Sequence, residues 1–421
     1  MSRWPLTARG TGAALLAFAA FIGAHAFQVT ELLYVSALLT VALVGSVATL
    51  YLVRRTERVE RFFEPDVGAV GSDLDVHLRV EIRSPLPTAQ GRWHDRLPDG
   101  ITGDADGVFP QTGSGMRAGA RAVDLQYPVT LHRRGIRSIG PISVASTDPF
   151  GFARRRHAIG RALPLTITPA VVALGPLSDL PGDVGGTIHA ATDQLGQGSD
   201  NLVPRHYMPG DSMRRIHWRA SAHRDELMVR QEEQETTPAA VIALDRASAR
   251  WHVEATRAPG ADPAFELAVC ACASIAARLV HEGYLVSVID FDGTPLSDPV
   301  DGGDVAGIEQ LAIDLAQVTA RRDGSTEDLA ELLGSPITDG ATGTIGPLIV
   351  IGGRLSSADA TALAPLAHRS AMPVLLATMP APDALADAAA SGWRVAAIAT
   401  EDDLVDAWTD VAERGAHRVG R

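Results

Sequence analysis

One short stretch concentrates the side chains able to hold charge or move protons. Residues 205–224 carry five arginines and three histidines around a single tryptophan. Asp211 sits among them, and Glu232, Glu233 and Glu235 follow soon after. Drawn one way, Asp211 with His206, His217 and His223 is the acid/base machinery of a hydrolase, Asp211 and His217 being its core. No nucleophile or oxyanion donor accompanies them, so a polar network or an interaction surface is the stronger reading. Arginines beside a tryptophan are common anchors of protein interfaces. The candidate interface residues are Arg205, Tyr207, Gly210, Asp211, Arg214, Arg215, Trp218, Arg219 and Ser221.

Other chemistry-bearing residues are sparse. Asp245 ends an apolar run, and Asp290 and Asp292 end another. Gly352-Gly353 follows a third apolar run, but no Lys-Ser/Thr and no G-x-G-x-x-G is present, so a nucleotide loop has little support. No nucleophile elbow and no H-E-x-x-H occurs. Cys270 and Cys272, the only cysteines, lie two apart in an Ala-rich run. On a helix they point apart, which suits buried small hydrophobes and not a metal site.

The candidate residues need elements to hold them. Pro209-Gly210 is turn chemistry, and Asp211 is placed to cap a helix. Met213, Ile216 and Ala220 then fall on one apolar face. Arg215 and Arg219 lie on another face, and Arg214 stands four residues before Trp218. Losing the Asp211 cap should cost on the order of 1 kcal/mol. Truncating Trp218 should cost about 3 kcal/mol if its ring is buried.

The pattern Arg205, Tyr207, Pro209-Gly210-Asp211, Arg214, Ile216, Trp218-Arg219-Ala220-Ser221-Ala222, then Glu233 and Glu235, resembles the bacterial domain of unknown function 58 family. The R-G-x-x-x-x-G-P run from Arg134 and the D-P-F-G run from Asp148 resemble it too. Where that family has Ala-Arg after the serine, this chain has Ala222-His223, with Arg224 one step later. The resemblance implies a domain similar to von Willebrand factor type A after the motif. It also implies partnership with MoxR-type AAA ATPases as an adaptor in envelope-related or assembly processes. Domains of that type end their first strand in Asp-x-Ser-x-Ser, a divalent-cation site. Here the run is Asp245-Arg246-Ala247-Ser248-Ala249, so both serine positions are alanine. Asp245 is therefore read as a degenerate metal position, with no metal ligand set and no cofactor.

The rest of the chain places these residues. Residues 12–29 and 32–53 are apolar enough and long enough to cross a bilayer as a hairpin. Arg3 and Arg9 precede the hairpin, Arg54, Arg55, Arg58 and Arg61 follow it, and the turn between has no cation. Both ends should face the cytoplasm, which makes this a multi-pass inner-membrane protein with cytoplasmic domains. Residues 75–83, 122–127, 129–131 and 134–141 read as short strands between turns, with Phe150 and Phe152 as anchors in a turn. From residue 239 onward, strands alternate with helices. The expected fold is α/β: a transmembrane helical hairpin (1–58), a small β-sandwich-like module (59–168), a linker with the signature motif (169–237), and a von Willebrand factor A-like, doubly wound, mostly parallel sheet (238–421). A net charge of −13 argues against nucleic acid as a partner. The expected function is non-enzymatic, with the lipid bilayer and the ATPase as partners.

The depleted ligand set at Asp245 makes a direct prediction. Magnesium or manganese should leave the melting temperature of the protein unchanged. A saturable stabilisation by magnesium, lost in Asp245→Ala, would contradict the sequence reading.

Overall fold

The computed structural model describes all residues except 1–4, 52–55, 84–89, 112–120, 149, 178–201, 207–215, 217, 225, 233–237, 322–344 and 414–421. It divides into two units. The first holds residues 1–170 with 253–266 and 312–319, and the second holds the remainder.

Two apolar helices open the first unit, α1 (Ala8–Phe27) and α2 (Thr30–Tyr51). At 1.5 Å per residue they are about 30 and 33 Å long, matched to a hydrocarbon core. Both begin and end a few residues earlier than the sequence reading placed them. Gln28 turns the chain between them in the left-handed region, φ 56°. The helices meet through small residues, Ala17, Ala20 and Ala24, and Ser36 donates a 2.8 Å hydrogen bond to the Ala17 carbonyl. Small residues and a polar bond are what hold helices together where the solvent is itself apolar. Only 22% and 11% of their apolar windows are buried in the protein.

Among the described residues, eleven strands follow: β1 (Thr56–Glu64), β2 (Val67–Ala69), β3 (Asp73–Arg83), β4 (Gly91–Asp95), β5 (Ile101–Gly103), β6 (Asp106–Phe109), β7 (Arg121–Leu131), β8 (Gly135–Ile139), β9 (Ile142–Thr147), β10 (Arg154–Ile159) and β11 (Leu163–Thr168). They form sheets ordered β1-β3-β7-β5, β10-β9-β4-β6 and β2-β11-β8. Alternation decides which faces turn inward. Leu74, Val76, Leu78, Val80 and Ile82 of β3 are buried, the residues between them less so. They share one core with Trp93, Ile142 and Leu165 from the other sheets. The glycine-rich region read as a loop holds β5 and β6, and its tail lies outside the described residues.

An ion pair is closed inside this core. Arg61 Nη2 donates to both oxygens of Asp95, at 2.9 and 2.6 Å, and Nη1 donates to the Ile139 carbonyl at 2.6 Å. Tyr127 donates its hydroxyl to Asp95 at 2.7 Å. The Arg61 side chain is 3% exposed and that of Asp95 0%. Arg61, counted in the sequence among the cations that follow the hairpin, is therefore a core residue. Arg58, another of them, has 73% of its side chain exposed. Burial, helped by Asp95, pushes the Tyr127 phenol far above its ordinary value.

The second unit begins with a strap, residues 171–177. It is tied by Val172 N–H to Ser274, by Leu177 N–H to Glu282, and by the Trp408 indole to the Gly175 carbonyl. A hairpin follows, β12 (Leu202–His206) paired antiparallel with β13 (Met228–Glu232), with α3 (Trp218–Arg224) in the connection. Next come β14 (Ala239–Leu244), α4 (Pro263–His281), β15 (Leu285–Asp290), α5 (Val305–Leu315), β16 (Ile345–Leu355), α6 (Ser357–Ala367), β17 (Ser370–Pro380), α7 (Ala384–Ala390), β18 (Arg394–Ala397) and α8 (Glu401–Glu413). The five strands are all parallel, in the order β15-β14-β16-β17-β18. This is a doubly wound sheet. Its winding reverses between β14 and β16, and such sheets place their sites outside the carboxyl ends there. α4 matches a transmembrane helix in length and apolarity, but 72% of its window is buried in the protein. Cys270 and Cys272 are buried on it.

Deleting one partner of the Arg61–Asp95 pair strands the other charge in the core. Asp95→Ala should cost about 3–5 kcal/mol of stability, and Arg58→Ala about 0.5 kcal/mol or less. Thermal melts of the two variants side by side check this. Equal losses would contradict a buried pair.

Candidate functional site

The signature segment is a β-hairpin with a helical insertion. Arg205 pairs across to Val229, and His206 to Met228. Ser221 on α3 accepts the Met228 amide at 2.8 Å, so the helix is pinned to the returning strand. Met228 and Ile216 are buried, at 1% and 5% exposure. The described helix starts at Trp218, and Ile216 before it is in an isolated bridge conformation. Of the expected helical face, Met213 lies outside the described residues, Ile216 precedes the described helix, and Ala220 lies on it. Trp218 opens α3 with 69% of its surface exposed, so the burial on which a 3 kcal/mol cost depended is absent. Tyr207, Gly210, Asp211, Arg214, Arg215 and His217 lie outside the described residues, and Arg219 is placed by its backbone only.

The second cluster lies where a doubly wound sheet should hold its site. Asp245 follows β14 and is 1% exposed. Its Oδ1 accepts the Ala247 amide at 2.9 Å, closing the loop over the strand end. Its Oδ2 lies 2.7 Å from Nε of Arg250, which sits in a short 3-10 turn, Ser248–Arg250. Arg250 also donates to Asp359 at 2.6 Å and to the Arg354 carbonyl at 3.1 Å. Asp359 in turn belongs to the capping box that starts α6 with Ser356. Trp251 donates its indole N–H to the Asp245 carbonyl at 2.9 Å. One guanidinium thus joins the loop after β14, the end of β16 and the start of α6.

Beside it is a matching pair. Asp290, at the end of β15, is 1% exposed. It lies 2.8 Å from Arg321 Nε and 3.5 Å from Arg246 Nη1. Arg321 reaches Asp292 as well, at 2.7 Å. The Arg321 backbone pairs with the Asp245 loop, donating to the Arg246 carbonyl and accepting from Ser248 N–H, both at 2.7 Å. Asp245 and Asp290 end neighbouring strands, Asp245 facing Arg250 and Asp290 facing Arg321 and Arg246.

Burial divides these carboxyls. It pushes Asp245 up to about 7, against the pull of Arg250 and the Ala247 amide. It also raises Asp290, against the Phe291 amide, Arg321 and Arg246. At Asp292 burial acts upward too, but hydrogen bonds from Thr294 and Arg321 overcome it and hold the group near 2. At Asp359 the same upward push is overcome by Arg250 and Ser356, leaving it far below its ordinary value.

Sequence reasoning missed Arg250, Arg321, Asp359 and Trp251. A capping-box signature, Ser356 with Asp359 three residues on, was present for one of them. Gly352-Gly353 lies inside β16 and not after it. A Cβ on Gly353 would stand 2.4 Å from the Arg250 carbonyl oxygen. The glycine is required there for close approach to the Arg250–Trp251 turn, not for a phosphate.

Residues 204–399 match the family model described as "Protein of unknown function DUF58". The resemblance carried by the signature residues holds over this segment. Among solved structures, the chain is similar to a von Willebrand factor type A protein from Catenulispora acidiphila, at 12% identity and TM-score 0.31, over 44% of this chain and 43% of that one. It is also similar to a Northeast Structural Genomics Consortium target, SoR45, at 14% identity and TM-score 0.14, over 29% of this chain and 92% of that one. No curated protein matches.

Raising Asp245 has a signed consequence. A carboxyl that binds its proton more tightly when folded stabilises the fold below about pH 4. That stability is lost as pH rises through about 7. The melting temperature of the wild type should carry this decline between pH 4 and 7. In Asp245→Asn the decline should be shallower. Parallel pH profiles would contradict the assignment.

Proposed function

We propose that this chain is a non-enzymatic, membrane-tethered interaction protein that docks a MoxR-type AAA ATPase in the cytoplasm. The observation that carries the reading is the exposed Trp218 at the start of α3, inside the DUF58 segment. An exposed indole beside Arg219 in the chain is open to a partner, and tryptophan and arginine are the usual anchors of interfaces. The docking surface is Arg215, Trp218 and Arg219, together with the loops after Asp245 and Asp292. The partner surface it fits is acidic.

The rim beside those loops supports an adaptor over an enzyme. Its acids are held by arginines at 2.6–3.5 Å, a fixed array suited to presenting a shape. Arg250 occupies the Asp245 carboxylate that a divalent cation would need, so docking is independent of metal. The two apolar helices support a membrane anchor. Arg3, Arg9, Arg54, Arg55 and Arg58 at the open end of the hairpin support a cytoplasmic location for the domains.

Two experiments test this. Trp218→Ala, and the double change Arg215→Glu with Arg219→Glu, should each stay within about 0.5 kcal/mol of wild-type stability, as surface changes usually do. Both should recover far less of a MoxR-type ATPase from native membranes. Folded variants that recover the same ATPase in the same amount would place the interface elsewhere. For topology, a cysteine at Gln28 should react with an impermeant reagent from outside the cell, and one at Gly115 should not. The reverse pattern would exclude the cytoplasmic reading.

A further inference from the structure

The turn joining β9 to β10 is bonded to the open end of the helical hairpin. Thr7, the N-cap of α1, donates its amide to the Phe152 carbonyl at 2.9 Å and its hydroxyl to the Gly151 carbonyl at 2.5 Å. Arg154 N–H donates to the Pro5 carbonyl at 2.7 Å, and Leu6 bridges Ala153 antiparallel. On the other helix, Arg155 donates to the Leu50 carbonyl at 2.8 Å and its guanidinium covers the Tyr51 ring at 5.2 Å. Gly10 allows the approach, since a Cβ there would stand 1.9 Å from the Phe152 carbonyl oxygen. All these contacts lie in the first unit.

The turn itself is stiff. Asp148, 2% exposed, accepts the Phe150 amide at 2.9 Å and the Ala153 amide at 2.6 Å. Gly151 takes φ 75°, and the Phe150 and Phe152 rings stack at 6.2 Å. Phe150 is nevertheless 64% exposed, with exposed Arg154 four residues on and exposed Arg9 beside Gly151, its Nη1 3.8 Å from where a Cβ would stand.

Depth follows from length. α1 and α2 are only just long enough to cross a hydrocarbon core of about 30 Å. Ala8 and Tyr51 must then lie at its edge, and a turn bonded to Thr7, Leu50 and Tyr51 lies there too. We infer that residues Phe150 to Arg154 form a membrane-interface foot: Phe150 enters the boundary between headgroups and acyl chains, and Arg9 and Arg154 face the headgroups. Aromatic rings and cations both favour that zone. The foot makes the β module lie against the bilayer instead of hanging from a linker. It rests on α1 and α2 spanning the membrane, but not on which side the open end faces.

The test uses the full chain in liposomes. Its two natural cysteines are buried, and burial pushes the Cys272 thiol up to about 12, so an introduced cysteine is labelled selectively. An NBD dye goes on Phe150→Cys, and in a second protein on Leu38→Cys in mid-helix. Lipids carrying a nitroxide near the headgroup, or deep in the chain, are the quenchers. The foot predicts a blue-shifted dye at position 150 that loses more emission to the shallow quencher than to the deep one, with the opposite order at position 38. Adding Gly10→Leu should release the turn and weaken quenching at 150 while leaving 38 unchanged. A dye at 150 with aqueous emission and no quenching, while 38 is quenched, overturns the foot alone. Blue-shifted emission without quenching would mean that protein covers the turn, and overturns it as well. Loss of quenching at both positions overturns the spanning hairpin and the foot with it.

Discussion

The carboxyl edge of the parallel sheet depends on one buried ion pair, Asp245 with Arg250. Asp245 is 1% exposed at the end of β14, and a charge so placed is tolerated only with a partner and filled hydrogen bonds. Arg250 supplies the partner at 2.7 Å. Its other nitrogens reach the Arg354 carbonyl and Asp359. One loop, a strand end and a helix start are therefore set by one side chain. Arg246 and Arg321 do the same for Asp290 and Asp292 one strand over. A cation site of this kind of sheet would need open oxygens. Here Arg250 stands 2.7 Å from one Asp245 oxygen and the Ala247 amide bonds the other.

Much of this was legible in the sequence, because periodicity reports burial. The alternation in residues 75–83 gave β3, and the apolar runs ending at Asp245 and Asp290 gave β14 and β15. The pattern could not report partners chosen by the fold. Arg61 reads as one more cation beside a membrane helix, yet it is locked to Asp95 across 34 positions. Arg250 and Asp359 are 109 residues apart. Gly352-Gly353 reads as punctuation because glycine usually punctuates. It lies inside β16, where the Arg250–Trp251 turn comes too close to Gly353 for a side chain. In the signature segment the spacing of Met213, Ile216 and Ala220 mimics a helix. Among the described residues, Ile216 is buried in a bridge and the helix runs from Trp218 to Arg224.

The two units use the same physics for different ends. In the first, Arg61, Asp95 and Tyr127 form a closed network within the β core, and backbone bonds fasten the module to the start of α1 and the end of α2. In the second, the charged groups gather at one edge of the sheet, and a tryptophan stays in solvent on α3. One unit carries two helices long and apolar enough to cross a bilayer. The other is built to keep a polar surface in fixed shape.

A double-mutant cycle at Asp245 and Arg250 tests the central claim most directly. Asp245→Asn, Arg250→Gln and the double variant would be unfolded at pH 8, where Asp245 is ionised. If Arg250 is the partner that lets Asp245 stay buried, the two changes are coupled by roughly 1–3 kcal/mol, as groups in direct contact are. Losses that add to within about 0.3 kcal/mol, as for independent sites, would show that the pair does not hold the rim.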